Sequence, residues 1–174
     1  MKKILAIIDH VYEDLELWYP KIRLEEAGHE VVVAAPAAGE TYSGKHGYPC
    51  MSDAAIADMN SSDFDALLVP GGFAPDKLRR DPKVLSLVQE FNEANKPIGH
   101  ICHAGWILIS ADILHDRKTT STVGIKDDMN NAGATWVDEA VVIDGNQIAA
   151  RTPKDLAPFS KALVDALAVE SSPA

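Results

Sequence analysis

The hydrophobic positions fall into short aliphatic runs separated by stretches with helical spacing. Ile4 to Ile8 is an unbroken aliphatic run, as expected of a strand covered on both faces. From Glu13 to Ala27, apolar residues recur at Leu15, Leu17, Trp18, Ile22 and Leu24, and Gly28 follows as a natural stop. The spacing predicts a helix there, with a kink or short break near Pro20. Val31 to Ala35 is a second β-branched run, and the three segments together read as a β-α-β unit, the mark of a parallel sheet. Thr41-Tyr42 and Tyr48 flank Ser43-Gly44-Lys45-His46-Gly47, which predicts a hairpin excursion off the main sheet. Ser52 to Asp63 is polar and alanine-rich, a loop with a helical turn.

Ala66 to Val69 is the third buried strand, ended abruptly by Pro70-Gly71-Gly72. Pro75 to Arg80 and Pro82 to Asn95 then read as a short and a longer helix, with Pro82 suited to a first helical position. Next comes Lys96-Pro97-Ile98-Gly99-His100-Ile101-Cys102-His103, a short buried strand that turns directly into an apolar helix running from Trp106 to Ala111. Lys118 to Thr122 is β-rich, Gly124 to Asn131 is a helix ended by Ala132-Gly133, and Trp136-Val137 follows. Val141 to Ile143 and Gln147 to Ala150 are joined by Asp144-Gly145-Asn146, a strong hairpin signal. Pro153 to Val169 closes the chain as an amphipathic helix, and Glu170 to Ala174 reads as a frayed tail. Alternating strands and helices with short connections indicate an α/β sandwich with a mostly parallel central sheet. Sites in such sheets gather outside the carboxyl ends of the strands, so Glu13, Gly71-Gly72 and Cys102 should converge.

Composition narrows the class. The chain has 174 residues, 47% hydrophobic and 24% charged, which fits one globular domain with a sizeable core. A net charge of −10 with no basic cluster argues against nucleic acid and against an anionic membrane surface. Two cysteines make no disulfide framework, and a reducing, cytoplasmic setting is expected. Met1-Lys2-Lys3 before an aliphatic run resembles the start of a signal peptide, but the run stops at Asp9, too short for one.

The chemistry centres on Cys102. A thiol at a strand-to-helix turn meets the N–H groups of a helix N-terminus, which favour thiolate and should lower its pKa. It is the position of a nucleophile, although a free cysteine is often only a buried small apolar residue. His103 could serve as base and proton carrier, or be a polar residue of the first turn. Glu13 could cap its helix, or hold a proton at raised pKa and donate a hydrogen bond to the thiolate. Gly71-Gly72 permits close backbone approach and could present an N–H to an oxyanion together with that of His103. There is no dinucleotide or phosphate-loop motif, the histidines show no zinc spacing, and neither metal nor cofactor is expected.

Taken together, Glu13-Asp14-Leu15-Glu16-Leu17, Gly44-Lys45-His46-Gly47, Val69-Pro70-Gly71-Gly72, Ala74-Pro75, Ile101-Cys102-His103 and Gly124-Ile125-Lys126-Asp127-Asp128-Met129 resemble the ThiJ/PfpI superfamily, most of all its PfpI-type intracellular cysteine peptidase branch. The resemblance spans nearly the whole chain in order. It implies one domain over residues 1–174, of the class I glutamine amidotransferase-like type, folded as a flavodoxin-like three-layer sandwich. It implies Cys102 as nucleophile, Glu13 as the acid hydrogen-bonded to it, His103 as the triad histidine, and Gly72 and His103 as oxyanion donors. It also implies a homodimer or higher oligomer with the site near a subunit interface, where Asp76 stands in place of the usual triad Glu, one methylene shorter. Phe73, His100 and Ala104-Gly105-Trp106 depart from the common pattern, and Trp106 reads as core. Three functions are compatible with these residues: glutathione-independent glyoxalase or deglycase chemistry on small reactive carbonyls, peptide hydrolysis, and a non-catalytic cysteine redox sensor. The first is favoured, with a small aldehyde or a peptide as the substrate class.

Overall fold

In the computed structural model, which describes residues 1–169, strands and helices alternate from the first residues onward. β1 (Lys3–Ile7), α1 (Asp14–Glu26) and β2 (Glu30–Ala35) form the expected parallel unit, in register from Lys3 opposite Glu30 to Ile7 opposite Ala34. The hairpin excursion is β3 (Thr41–Ser43) with β4 (Pro49–Met51), paired antiparallel. β5 (Ala54–Ala55) and two short 3-10 turns follow where a loop is expected. β6 (Ala66–Val69), α2 (Ala74–Leu78), α3 (Pro82–Glu93) and β7 (Ile98–Ile101) carry the chain through the centre. One 3-10 turn, Cys102–Ala104, joins β7 to α4 (Gly105–Ser110). β8 (Lys118–Thr119), α5 (Lys126–Asn131) and β9 (Thr135–Trp136) form a small side ribbon, and β10 (Val141–Asp144), β11 (Gln147–Ala150) and α6 (Leu156–Val169) complete the chain.

The central sheet has the order β10-β11-β7-β6-β1-β2-β5. Every pairing in it is parallel except β10 with β11, whose two-residue turn makes them a hairpin. α1 packs with α6, and α4 packs with α2 and α3, giving the flavodoxin-like sandwich of helices around a sheet. β6, β7 and β11 are buried at every residue, which is why their sequences are continuous rather than alternating runs. Each large side chain so buried, such as Leu67, Leu68 or Phe91, is worth about 1.5–3 kcal/mol. Gly99 in β7 faces α6, where an added Cβ would come within 2.7 Å of Leu163 Cδ2. Successive strand residues alternate in direction, so His100 points away from that helix.

Two expectations are corrected. α1 runs unbroken through Pro20, which is buried with Leu17 and Leu24; the packing of this stripe holds a turn that lacks the Pro20-to-Glu16 hydrogen bond. The helix expected from Gly124 begins as a 3-10 turn, Val123–Ile125, and becomes α-helical only at Lys126. The frayed tail expected at Glu170 to Ala174 lies outside the described residues.

Candidate active site

The carboxyl ends of β1, β6 and β7 lie side by side because β6 pairs with both of the others. Three loops therefore meet at one point, carrying Val11 to Glu13, Gly71-Gly72 and Cys102-His103. They are tied by backbone bonds: Glu13 N–H donates to Gly71 O at 3.1 Å, and Phe73 N–H to Val11 O at 2.8 Å. A cleft of about 430 Å³ opens there, lined by Val11, Glu13, Lys45, Gly72, Phe73, Cys102, His103 and Trp106. A larger groove of about 610 Å³ runs along Leu15, Trp18, Ile22 and Tyr48, but no cysteine, serine or threonine lines it.

Cys102 sits at the first residue after β7 with φ of 63°, a left-handed conformation that a residue with a side chain adopts at a cost of about 1–2 kcal/mol. The sharp reversal lifts the thiol out of the strand and brings it to the N–H groups of His103 and Gly72, which act to lower its pKa. Thr122 N–H donates to the Cys102 carbonyl at 3.3 Å and helps hold the turn. Sγ lies 3.3 Å from Nδ1 of His103.

The acid against the thiol is Glu16, not Glu13. Glu16 is fully buried in the first turn of α1; its Oε1 accepts the Gly71 N–H at 2.9 Å, and its carboxyl is within hydrogen-bonding reach of Cys102. Oε2 has no nitrogen or oxygen partner. Burial pushes this carboxyl up to about 8, so it keeps its proton at neutral pH. Glu13, which the sequence places in this role, lies at the entrance of α1 and makes no side-chain cap; it lines the cleft, with Oε2 3.5 Å from His46 Nε2. The reason is rotational. Glu16 lies on the inward stripe of α1 with Pro20 and Leu24, spaced i, i+4, i+8, and a carboxylate in that stripe is the signal that could have found it.

The expected fall of the Cys102 pKa is also corrected. Burial pushes the thiol up to about 12, and a charged Glu16 would add to this, against the lowering by the His103 and Gly72 N–H groups. Desolvation of the buried sulfur outweighs the pull of the helix terminus. A protonated Glu16 removes the repulsion and offers an O–H to the sulfur, so the proton on Glu16 and the charge on Cys102 belong to one state of a shared pair. Burial lowers the His103 pKa, with Lys45 adding to the effect, so its imidazole is neutral and free to act as a base.

Both glycines are required here. A Cβ at Gly71 would lie 2.9 Å from Cys102 Cβ and 2.8 Å from Ile101 O. Gly72 has φ of 81°, and its Cβ would fall within 2.6 Å of Val11 O. Asp76 is not among the residues lining the cleft; it lies in α2 and pairs with Arg80 at 2.7 Å. His100 is buried behind the site with its pKa depressed by burial to about 4, and its Nε2 has no partner. Trp106 is half-buried at the edge of the core, its ring centroid 5.0 Å from that of His103 at a tilt of 58°, and it forms a wall of the cleft.

Among the described residues one group has metal-ligating proximity: Glu13, Asp14 and His46, with ligand atoms within 4.8 Å of one another. Both Asp14 oxygens already accept backbone N–H groups, from His46 and Tyr48 at 2.8 Å each. No helix of the described residues is long and apolar enough to cross a membrane.

Residues 2–166 match the DJ-1/PfpI family. The chain is 46% identical over 165 residues to a protein of Pyrococcus horikoshii named deglycase PH1704, covering 95% of this chain and 99% of that one. It is 42% identical over 160 residues to a putative cysteine protease, YraA, of Bacillus subtilis, covering 92% and 95%. Among solved structures, a two-domain protein of Anabaena variabilis with DJ-1/ThiJ/PfpI-like and ferritin-like domains superposes with a TM-score of 0.95 at 41% identity. That match covers 97% of this chain and 48% of the longer one.

Proposed function

Because the chain belongs to the DJ-1/PfpI family, we propose that it is a cysteine-dependent enzyme acting on small reactive carbonyls and their adducts, of the glyoxalase or deglycase type. The observation that carries the reading is a protonated, buried Glu16 beside the Cys102 thiol, under two backbone N–H groups, in a cleft of small-molecule size. The identity to a named deglycase over almost the whole chain supports it.

In this reading the Cys102 thiol passes its proton to His103 Nδ1, 3.3 Å away, as the sulfur adds to the aldehyde carbon of methylglyoxal, forming a C–S bond and an oxyanion. The N–H groups of Gly72 and His103 stabilise that oxyanion, protonated Glu16 stays beside the sulfur, and the proton on His103 is delivered to the oxyanion, leaving the imidazole neutral. Neutral His103 removes the proton from the former aldehyde carbon and returns one to the neighbouring carbon, which converts the hemithioacetal into a thioester. Water then cleaves the thioester, releasing lactate and regenerating the thiol. From an adduct on an amine, the amine leaves at the thiol-exchange step and the rest is the same.

Peptide hydrolysis is the second reading, supported by the identity to a putative cysteine protease. It needs a strong base for the leaving amine. Among the described residues His103 meets Cys102 and Trp106 but no carboxylate, which disfavours this chemistry within one chain. A carboxylate from a second copy, at Asp76, would be required, so a homo-oligomer with the site near its interface belongs to this proposal. The exposed Phe73 and Val11 beside the cleft support such a contact. A redox-sensor role rests on Cys102 alone. A cytoplasmic setting is supported by Cys50 and Cys102 both being free thiols.

The test is lactate release from methylglyoxal by wild type and Cys102→Ser, with an unstructured peptide in parallel. Cysteine-dependent lactate is expected. Cysteine-dependent peptide cleavage without lactate would replace the reading with the peptidase, and silence in both would leave the sensor.

A further inference from the structure

The cleft holds one cation whose purpose the reaction above does not explain. Lys45 lines it together with Cys102 and His103, and among the described residues no carboxylate lies within ion-pairing distance of it. Glu13 also lines the cleft, with Oε2 3.5 Å from His46 Nε2, but it forms no ion pair with Lys45, so the two charges stand apart on the wall. Glu16 keeps its proton and cannot neutralise it. The charge of Lys45 is nevertheless felt in the cleft, since it acts on both Glu16 and His103.

The backbone that presents Lys45 is held tightly. Its own N–H donates to Tyr12 O at 2.7 Å, and Gly44 bridges to Tyr12. The Tyr12 hydroxyl donates to Tyr48 O at 2.6 Å. The Asp14 carboxylate accepts the N–H groups of His46 and Tyr48, and Gly44 leaves the space this carboxylate occupies. Two residues of the β1–α1 connection and first helical turn thus fix the 44–48 loop to the same segment that builds the cleft wall. A lysine on a loose surface loop would wander; this one leaves a fixed backbone at the rim. The remaining walls, Val11, Phe73 and Trp106, are apolar.

We propose that Lys45 is the substrate-binding cation of this cleft and selects carbonyl substrates that carry a carboxylate, with their apolar body against Phe73 and Trp106. The choice of carbonyl substrates rests on the proposed function; the anion subsite beside Cys102 does not. Lys45 therefore sets which molecules reach the thiol, and Asp14 acts as a positioning residue behind it.

The test reads the subsite without relying on turnover. Alkylation of Cys102 by iodoacetate, an anion, is compared with alkylation by iodoacetamide, its neutral counterpart, each rate divided by that of free cysteine. The same thiolate displaces iodide from both reagents, so a change in thiol ionisation cancels in their ratio. Wild type is expected to favour iodoacetate, and Lys45→Met to lower the ratio roughly fivefold, the size of one partly solvated charge interaction. Lys45→Arg should retain the ratio, and added salt should erode it in wild type and Lys45→Arg but not in Lys45→Met. An equal ratio in wild type and Lys45→Met overturns the subsite.

Turnover of para-carboxyphenylglyoxal against phenylglyoxal then joins the two proposals. Wild type should prefer the carboxylated substrate by kcat/KM, and Lys45→Met should lose that preference through KM. A changed alkylation ratio with neither glyoxal turned over would sink the carbonyl reading and leave the subsite standing. Turnover of both glyoxals with an unchanged ratio would do the reverse.

Discussion

The Glu16 carboxyl and the Cys102 side chain share the space above Gly71, so closely that no Cβ fits there. An added carbon would lie 2.5 Å from Glu16 Oε1 and 2.9 Å from Cys102 Cβ. Gly71→Ala should therefore separate acid from thiol. We expect a loss of stability of about 1–3 kcal/mol and a loss of turnover larger than the unfolded fraction accounts for. Denaturant unfolding and activity at matched folded fraction check this; full activity in a folded Gly71→Ala protein would contradict the packing described.

Cys102→Ser should abolish carbonyl turnover while leaving far-ultraviolet dichroism and the unfolding midpoint close to wild type. The side chain is only partly buried and the two differ by one atom. Retained turnover would remove Cys102 from the nucleophile's role.

Glu16 and Glu13 are distinguished by the same pair of substitutions. Glu16→Gln removes the exchangeable proton beside the sulfur, and we expect kcat to fall roughly a hundredfold with a shifted thiolate titration. Glu13→Gln leaves that proton in place and removes only a more remote negative charge that raises the thiol, so it should lower the Cys102 titration slightly and act mainly on substrate binding. Thiolate absorbance followed against pH in both variants decides the assignment; a shift in Glu13→Gln alone would reverse it.

Stability should vary with pH in two windows of opposite sign. The Glu16 pKa is raised from 4.5 to about 8, so the folded state holds a proton the unfolded chain has lost, and stability falls as pH rises across that range. The His100 pKa is lowered from 6.5 to about 4, so the unfolded chain binds a proton the folded state refuses, and stability is lost as pH falls across that range. The two slopes oppose each other where the windows overlap, and each is at most about 1.4 kcal/mol per pH unit. Glu16→Gln should flatten the alkaline limb and His100→Gln the acid limb in urea unfolding at stepped pH.

Asp14→Asn weakens two charge-assisted bonds that fix the 44–48 loop, and we expect a loss of about 1–3 kcal/mol. The more telling readout is hydrogen exchange at the His46 and Tyr48 amides, which should quicken far more than exchange in the central sheet. Uniform acceleration would mean that Asp14 supports the whole fold rather than the loop.

Much of this architecture is legible in the pattern of the chain. The aliphatic runs at Ile4 to Ile8, Ala66 to Val69 and Ile98 to Ile101 announce buried parallel strands, and parallel strands bring their carboxyl ends together. That alone collects Gly71-Gly72 and Cys102. Periodicity did not reveal which of two carboxylates three residues apart turns inward, because Glu13 precedes the first helical turn while Glu16 lies within it. Burial, which acts on Cys102 against the helix terminus, is likewise a property of the packed loops and not of the local sequence. Asp14 and Lys45 were visible as residues of motifs but not as partners, since their relationship runs through backbone groups of a hairpin thirty residues away.

The strand order has a consequence for how the molecule is made. β7, which ends at the thiol, lies between β6 and β11, and β11 is the last strand to be synthesised. A nascent or truncated chain that stops before Gln147 leaves β7 as a bare sheet edge, four residues that are all buried in the finished protein. An edge of that kind invites pairing with other chains. The segment with the sharpest chemistry is thus also the one most exposed to misassembly until the closing hairpin covers it.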